Sequence, residues 1–123
     1  MGDDPLSRLP HGPPFRFVDR VEEIDPGKRI VAYKGVTAGD PVLPGALLVE
    51  AMAQTAGLLL PEGSSAVLAQ IGDARFLRPV RPGERVRIEA VSSGGLGAMR
   101  RFDVKASVDG EPVAEAGIVL AGF

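Results

Sequence analysis

Pro44-Gly45-Ala46-Leu47-Leu48-Val49-Glu50-Ala51-Met52-Ala53-Gln54-Thr55-Ala56-Gly57-Leu58-Leu59-Leu60-Pro61 contains the one convincing helix of the chain. From Ala46 to Leu60 it is built largely from Ala, Leu, Met, Glu and Gln, which lose little side-chain entropy in a helix. Pro61 ends it, because the residue before a proline is pushed out of the α region. Apolar residues surround this predicted helix on nearly every side, which marks a buried helix and not a surface one. Broken by Glu50, Gln54 and Thr55, it is also too short to span a bilayer.

On its carboxyl side the sequence changes to a period of two. Arg85 to Val91 alternates, with Val86, Ile88 and Ala90 on one face and Arg85, Arg87 and Glu89 on the other. Phe102, Val104, Ala106 and Val108 repeat that pattern opposite Arg101, Asp103, Lys105 and Ser107. Asp109-Gly110 is a hairpin signal, since both central turn positions favour positive φ, and Val113 to Leu120 closes the series. Val67 to Ile71 and Ala74 to Leu77 read as one bent strand with Gly72 at the kink, followed by a turn over Pro79 to Gly83. On the amino side, Met1 to Pro14 reads as an irregular arm and Phe15 to Val21 as a short apolar piece. Asp25-Pro26-Gly27-Lys28 is a turn, and Ile30 to Val36 a strand. One buried helix with several antiparallel strands predicts an α+β fold, a curved sheet wrapped around the helix.

Composition bounds the function. With 123 residues there is room for one domain over 1–123, and 45% hydrophobic against 24% charged residues is the balance of a globular protein. The net charge of −2 gives no reason to expect nucleic acid or an anionic membrane as a partner. The absence of cysteine excludes a disulfide framework, a thiol nucleophile and a Cys-based zinc site. Residues 1–20 have no apolar core followed by a cleavage site, so a cytoplasmic location is expected.

Three stretches together match one family. They are Leu9-Pro10-His11 with Pro14-Phe15 and Val18-Asp19-Arg20-Val21; then Pro41-Val42-Leu43-Pro44-Gly45 running into Glu50-Ala51-Met52-Ala53-Gln54; then Ala74-Arg75-Phe76 with Arg78-Pro79-Val80 and Pro82-Gly83. Asp109-Gly110 and Val113-Ala114-Glu115-Ala116 follow. In order and spacing these resemble the hot-dog-fold 3-hydroxyacyl–acyl carrier protein dehydratases of fatty acid synthesis. The resemblance implies a dimer or higher oligomer with sites at the subunit interface, and substrate carried as an acyl thioester on acyl carrier protein or coenzyme A. No cofactor and no metal are implied. By position Glu50 matches the acid of the central helix, and Gly45 the glycine whose N–H polarises the thioester carbonyl. Gln54, four residues after Glu50 on the same face, would orient the carboxylate, bind substrate, or only satisfy a buried backbone group.

One departure limits what carries over. The family's catalytic histidine lies in a His-Phe-Pro-Gly segment before the Pro-Val-X-Pro-Gly motif. Here only Ala38, Gly39 and Asp40 separate Thr37 from Pro41. His11 is the sole histidine, and it matches the amino-terminal Leu-Pro-His, so a structural or surface role fits it better than catalysis. Asp40 reads as a turn residue or as a second carboxylate. Arg75, Arg78 and Arg81 read equally as an acidic-partner surface and as a solvated face. Glu50, the one formal charge of the apolar helix, needs a hydrogen-bond partner or a raised pKa if it is buried. It is either a structural carboxylate at a dimer interface or a general acid/base. Dehydration of a 3-hydroxyacyl thioester needs an acid and a base, so Glu50 alone predicts an impaired homodimer. Three readings follow: a dehydratase-family subunit completed by an intact paralogue, a thioesterase using Glu50 and Gly45, or a non-catalytic acyl-binding protein.

Overall fold

The computed structural model describes residues 18–36, 45–61 and 63–122. The elements are β1 (Arg20–Asp25), β2 (Arg29–Gly35), α1 (Gly45–Gly57), β3 (Val67–Phe76), β4 (Arg85–Leu96), β5 (Met99–Val108) and β6 (Glu111–Ala121). All six strands join one antiparallel sheet in the order β1-β2-β4-β5-β6-β3. The helix packs on one face of it, against β2, β4, β5 and β6. This is the hot-dog arrangement that the sequence predicts.

The register shows how alternation becomes a core. Ala32, Ile88, Ala106, Ala114 and Phe76 stand opposite one another on five successive strands. Ser92, Phe102, Ile118 and Ile71 form a second such row across four. Buried members of these rows meet Leu48, Ala51, Met52 and Ala56 of α1 in a common cluster. The small side chains on both surfaces let helix and sheet approach closely, and Thr55, fully buried, donates its hydroxyl back to the Ala51 carbonyl at 2.8 Å.

Local chemistry sets the ends. Asp109 and Gly110 both take positive φ, 49° and 81°, the mirror-image turn that matches strand twist. The predicted helix runs to Leu60, but α1 stops at Gly57. The N–H groups of Leu58, Leu59 and Leu60 bond instead to the carbonyls of Thr55, Ala56 and Gly57, a tighter turn that carries the chain to Pro61. Strand β3 does bend where expected: its register slips between Gly72 and Arg75, and Asp73 takes φ 49°. Strand β1 is a departure from the sequence reading, which ends an apolar piece at Val21. A bulge between Val21 and Glu23 breaks its alternation, so only Val21 and Ile24 mark its inner face. The arm of residues 1–14 lies outside the described residues.

One ion cluster closes the turn before β4. Arg78 donates from Nη1 and Nη2 to both oxygens of Glu84, each at 2.9 Å. The Arg81 N–H adds a bond to Oε1 at 2.6 Å, and Glu111 meets Arg78 Nε at 3.3 Å. Arg78 is thereby a structural clamp, whereas Arg75 lies exposed beside Glu115. The Arg78 guanidinium, helped by the Arg81 N–H, holds the Glu84 carboxyl below the usual glutamate range. A depressed folded-state pKa stabilises above the unfolded value, and that stabilisation disappears as pH falls through the folded one. Stability of the wild type therefore declines from about pH 4 downward in part through Glu84. Glu84→Gln is expected to lower the urea midpoint at pH 7 and to flatten the acid limb, a result checked by denaturation at several pH values.

Candidate functional site

The candidate site is built on the start of α1. Gly45 is its first residue, and the first four N–H groups of any helix lack partners within it. These groups and the positive end of the helix dipole favour an oxygen that gains negative charge. No acidic residue occupies the first turn to compete for them. Phe76, the last residue of β3, stands beside Gly45: a Cβ at Gly45 would lie 3.2 Å from its ring.

Glu50 follows on the same helix. The sequence reading has it buried if structural, but it is half-buried, and no hydrogen bond or ion pair joins it to another described residue. Water can reach the carboxylate, so a compensating partner is not required as it would be in a dry core. Gln54, one turn on, is only 5% exposed, and its side chain has a partner. Glu50 is thus open to water in part, whereas Gln54 is buried. His11, Asp40 and the shortened segment from Thr37 to Pro44 lie outside the described residues.

Two residues around the site were quoted in the sequence motifs without a role. Asp19 accepts a hydrogen bond at 2.6 Å from the N–H of Gly35, and its own N–H bonds to the Tyr33 carbonyl at 2.9 Å. It therefore fixes the end of β2, from which the chain runs toward the helix. Phe76 is the other. Its four row partners Ala32, Ile88, Ala106 and Ala114 are buried, yet Phe76 is 53% exposed. The signal lay in an apolar residue at the end of a strand beside a glycine, and only the register reveals it.

The same exposure runs along β3. Leu68 and Ile71 share the inner face with buried Leu120 and Ile118, yet they are 39% and 40% exposed. The opposite edge, β1, carries Arg20, Glu22, Glu23 and Asp25, and Arg29 pairs there with Glu23 and Glu89. Charge of this kind blunts an edge against further pairing. Strand β3 has an apolar edge next to the helix start.

A cavity of about 320 Å³ lies at the other end of α1, walled by Leu58, Leu59, Leu60, Ile24, Phe102 and Arg100. None of Gly45, Glu50 and Gln54 lines it. At a rise of about 1.5 Å per residue, Glu50 is roughly 12–15 Å from it along the helix. The cavity and the Gly45 end of the helix are therefore separate places on the molecule.

Residues 9–117 match the family model described as a FabA-like domain. The chain belongs to the FabA-like family. Among curated proteins this FabA-like chain is 42% identical to a 3-hydroxyacyl-[acyl-carrier-protein] dehydratase FabZ of Herpetosiphon aurantiacus, covering 97% of this chain and 95% of that one. It is 44% identical to the FabZ of Anaeromyxobacter sp. (strain K), over 88% of this chain and 81% of the relative. In fold it is similar to a chain of the dehydratase heterocomplex ApeI:P from Xenorhabdus doucetiae, with a TM-score of 0.84 and 16% identity over 97% and 91% of the two chains. A hypothetical thioesterase with coenzyme A from Streptococcus pneumoniae shares the fold at a TM-score of 0.72 and 16% identity, covering 85% and 84%. Among the described residues no helix is long and apolar enough to cross a membrane.

Because no described side chain holds Glu50, Glu50→Gln is expected to change the unfolding free energy by less than about 0.5 kcal/mol, as substitutions away from buried networks do. Thermal and urea unfolding of the purified variant check this.

Proposed function

We propose that the chain is a 3-hydroxyacyl thioester dehydratase-like protein of fatty acid or polyketide-type metabolism, impaired as a homodimeric dehydratase. Its substrate is an acyl thioester on acyl carrier protein or coenzyme A. The observation that carries this is the placing of Glu50 in a helix whose glycine start adjoins an apolar sheet edge, in a chain over 40% identical to FabZ proteins. In this reading the thioester carbonyl accepts hydrogen bonds from N–H groups at the start of α1, which favours enolate-like charge as the α-proton leaves. Glu50, at the mouth, exchanges protons with the substrate. Gln54 bounds the wall and contacts the acyl group or steadies the carboxylate.

The second proton-transfer group is what the chain lacks. The family's histidine has no counterpart between Thr37 and Pro41, and His11 is the sole histidine. The alignment with the Herpetosiphon FabZ spans 138 positions while this chain has 123 residues, so at least 15 positions carry no residue here. That supports a shortened segment. A missing general acid or base costs on the order of 100- to 10,000-fold in rate.

A second copy, or an intact paralogue, is the proposed occupant of the β3 edge. Leu68 and Ile71 face the same way as the core without cover, and an edge strand of ten residues offers unpaired backbone groups. A paralogue there would bring the missing histidine to Glu50. A thioesterase is the second reading, favoured because Glu50 and the helix start together need no histidine.

Mass spectrometry of a 3-hydroxyacyl–carrier protein incubated with the protein tests these readings. Slow loss of water that falls a further 100-fold or so in Glu50→Gln is the expected outcome, and release of carrier thiol without loss of water would replace it with the thioesterase. Ile71→Lys is expected to turn a dimer into a monomer in light scattering. An unchanged mass would remove β3 as the interface.

A further inference from the structure

Phe76 holds a place that none of the functions above uses. It ends the row Ala32, Ile88, Ala106, Ala114, whose other members are small or buried under α1. Its ring does not enter that core. It lies against the first residue of the helix: from a Cβ built on Gly45, ring atoms Cε1, Cζ and Cδ1 stand at 3.2, 3.4 and 3.5 Å. Gly45 is in an ordinary helical conformation, since it is absent from the positive-φ glycines. Backbone freedom therefore does not explain the glycine. The ring does: a side chain at Gly45 and the ring of Phe76 compete for one space.

Resting on the reading that the helix start binds the thioester carbonyl, we propose that Phe76 is a specificity-determining wall of that site. Its ring, in van der Waals reach of Gly45 and half-open to solvent, stands beside a carbonyl held by the N–H groups there. The atoms nearest that carbonyl are the sulfur and the α-carbon. The wall therefore selects acyl thioesters unbranched at the α-carbon and disfavours a methyl group there. Gly45 lacks a side chain so that the ring can hold this position.

The obvious variant, Gly45→Ala, keeps the N–H that polarises the carbonyl. A loss that comes through the displaced ring is one that removing the ring relieves. A ring forced back by a few tenths of an ångström misplaces one wall of an apolar pocket, where a methyl group is worth roughly 10- to 200-fold.

The test uses 3-hydroxyoctanoyl-pantetheine and its 2-methyl analogue, with calorimetry for binding and mass spectrometry for dehydration or thiol release. Wild type is expected to favour the unbranched thioester by at least about tenfold. Phe76→Ala should reduce that preference at least several-fold, with the gain for the branched thioester seen in KM or Kd more than in kcat. Gly45→Ala should lose roughly tenfold on the unbranched compound, and the double variant should recover most of it. Light scattering and unfolding midpoints of all four proteins show whether assembly or folding has changed instead. Phe76→Leu serves in place of Phe76→Ala if the latter does not fold. Equal discrimination in wild type and Phe76→Ala, or a Gly45→Ala loss that Phe76→Ala does not relieve, overturns the proposal while leaving the proposed function intact. Failure of wild type to bind or turn over either compound overturns both.

Discussion

The structure depends on how closely a single helix can approach a single sheet. Ala51, Met52, Thr55 and Ala56 are fully buried on α1, and the sheet answers with Ala32, Ala90 and Ala106 between larger residues. Small side chains on both surfaces bring the backbones together, while Ile30, Ile88, Phe102 and Ile118 fill the space around them. With few aromatics available, this interdigitation has to supply most of the apolar burial. It also fixes the direction of the helix. Gly45 lies against Phe76 of β3, whereas Leu58 to Leu60 share a cavity with Ile24 of β1. The helix start and the turn after it thus meet different parts of the sheet, the first at Phe76 and the second at Phe102 and Ser92.

The two edges of the sheet differ. The β1 edge is laced with charge: Arg29 pairs with Glu23 and Glu89, and the Arg85 guanidinium lies 3.8 Å over the Tyr33 ring. Such groups keep water at the edge and discourage further strands. The β3 edge leaves Leu68 and Ile71 well exposed, and Phe76 half-exposed although its ring borders the helix start. The helix start, with its unpaired N–H groups, opens at this apolar edge. Backbone donors and an apolar surface are thus neighbours there, which is the combination the proposed thioester site would use.

Membership of the FabA-like family does not by itself set the activity of this chain. Gly45, Glu50 and Gln54 occupy the motif positions, while the segment before Pro41 is short and holds no histidine. In the proposed reading, a site with one proton-transfer group can still bind, orient and polarise, because those tasks belong to the helix start. In that reading the second proton transfer is what is lost, which separates binding from turnover.

The sequence by itself determined the helix, the hairpin at Asp109-Gly110, the kink at Gly72 and the inner faces of β4 and β5. Each is written in local chemistry: helix-forming composition, a turn that needs positive φ, or alternation within one strand. The motif also marked Gly45 and Glu50. Only the tertiary structure decided that the acidic run from Arg20 to Asp25 is a strand, since a bulge hides its alternation and pairing with β2 supplies the stabilisation. It alone separated the three arginines, making Arg78 a clamp on Glu84 and leaving Arg75 in solvent. It alone showed Glu50 half-open and Phe76 against Gly45. These are relations between residues distant in the chain, and no local pattern encodes which strand the helix will leave uncovered.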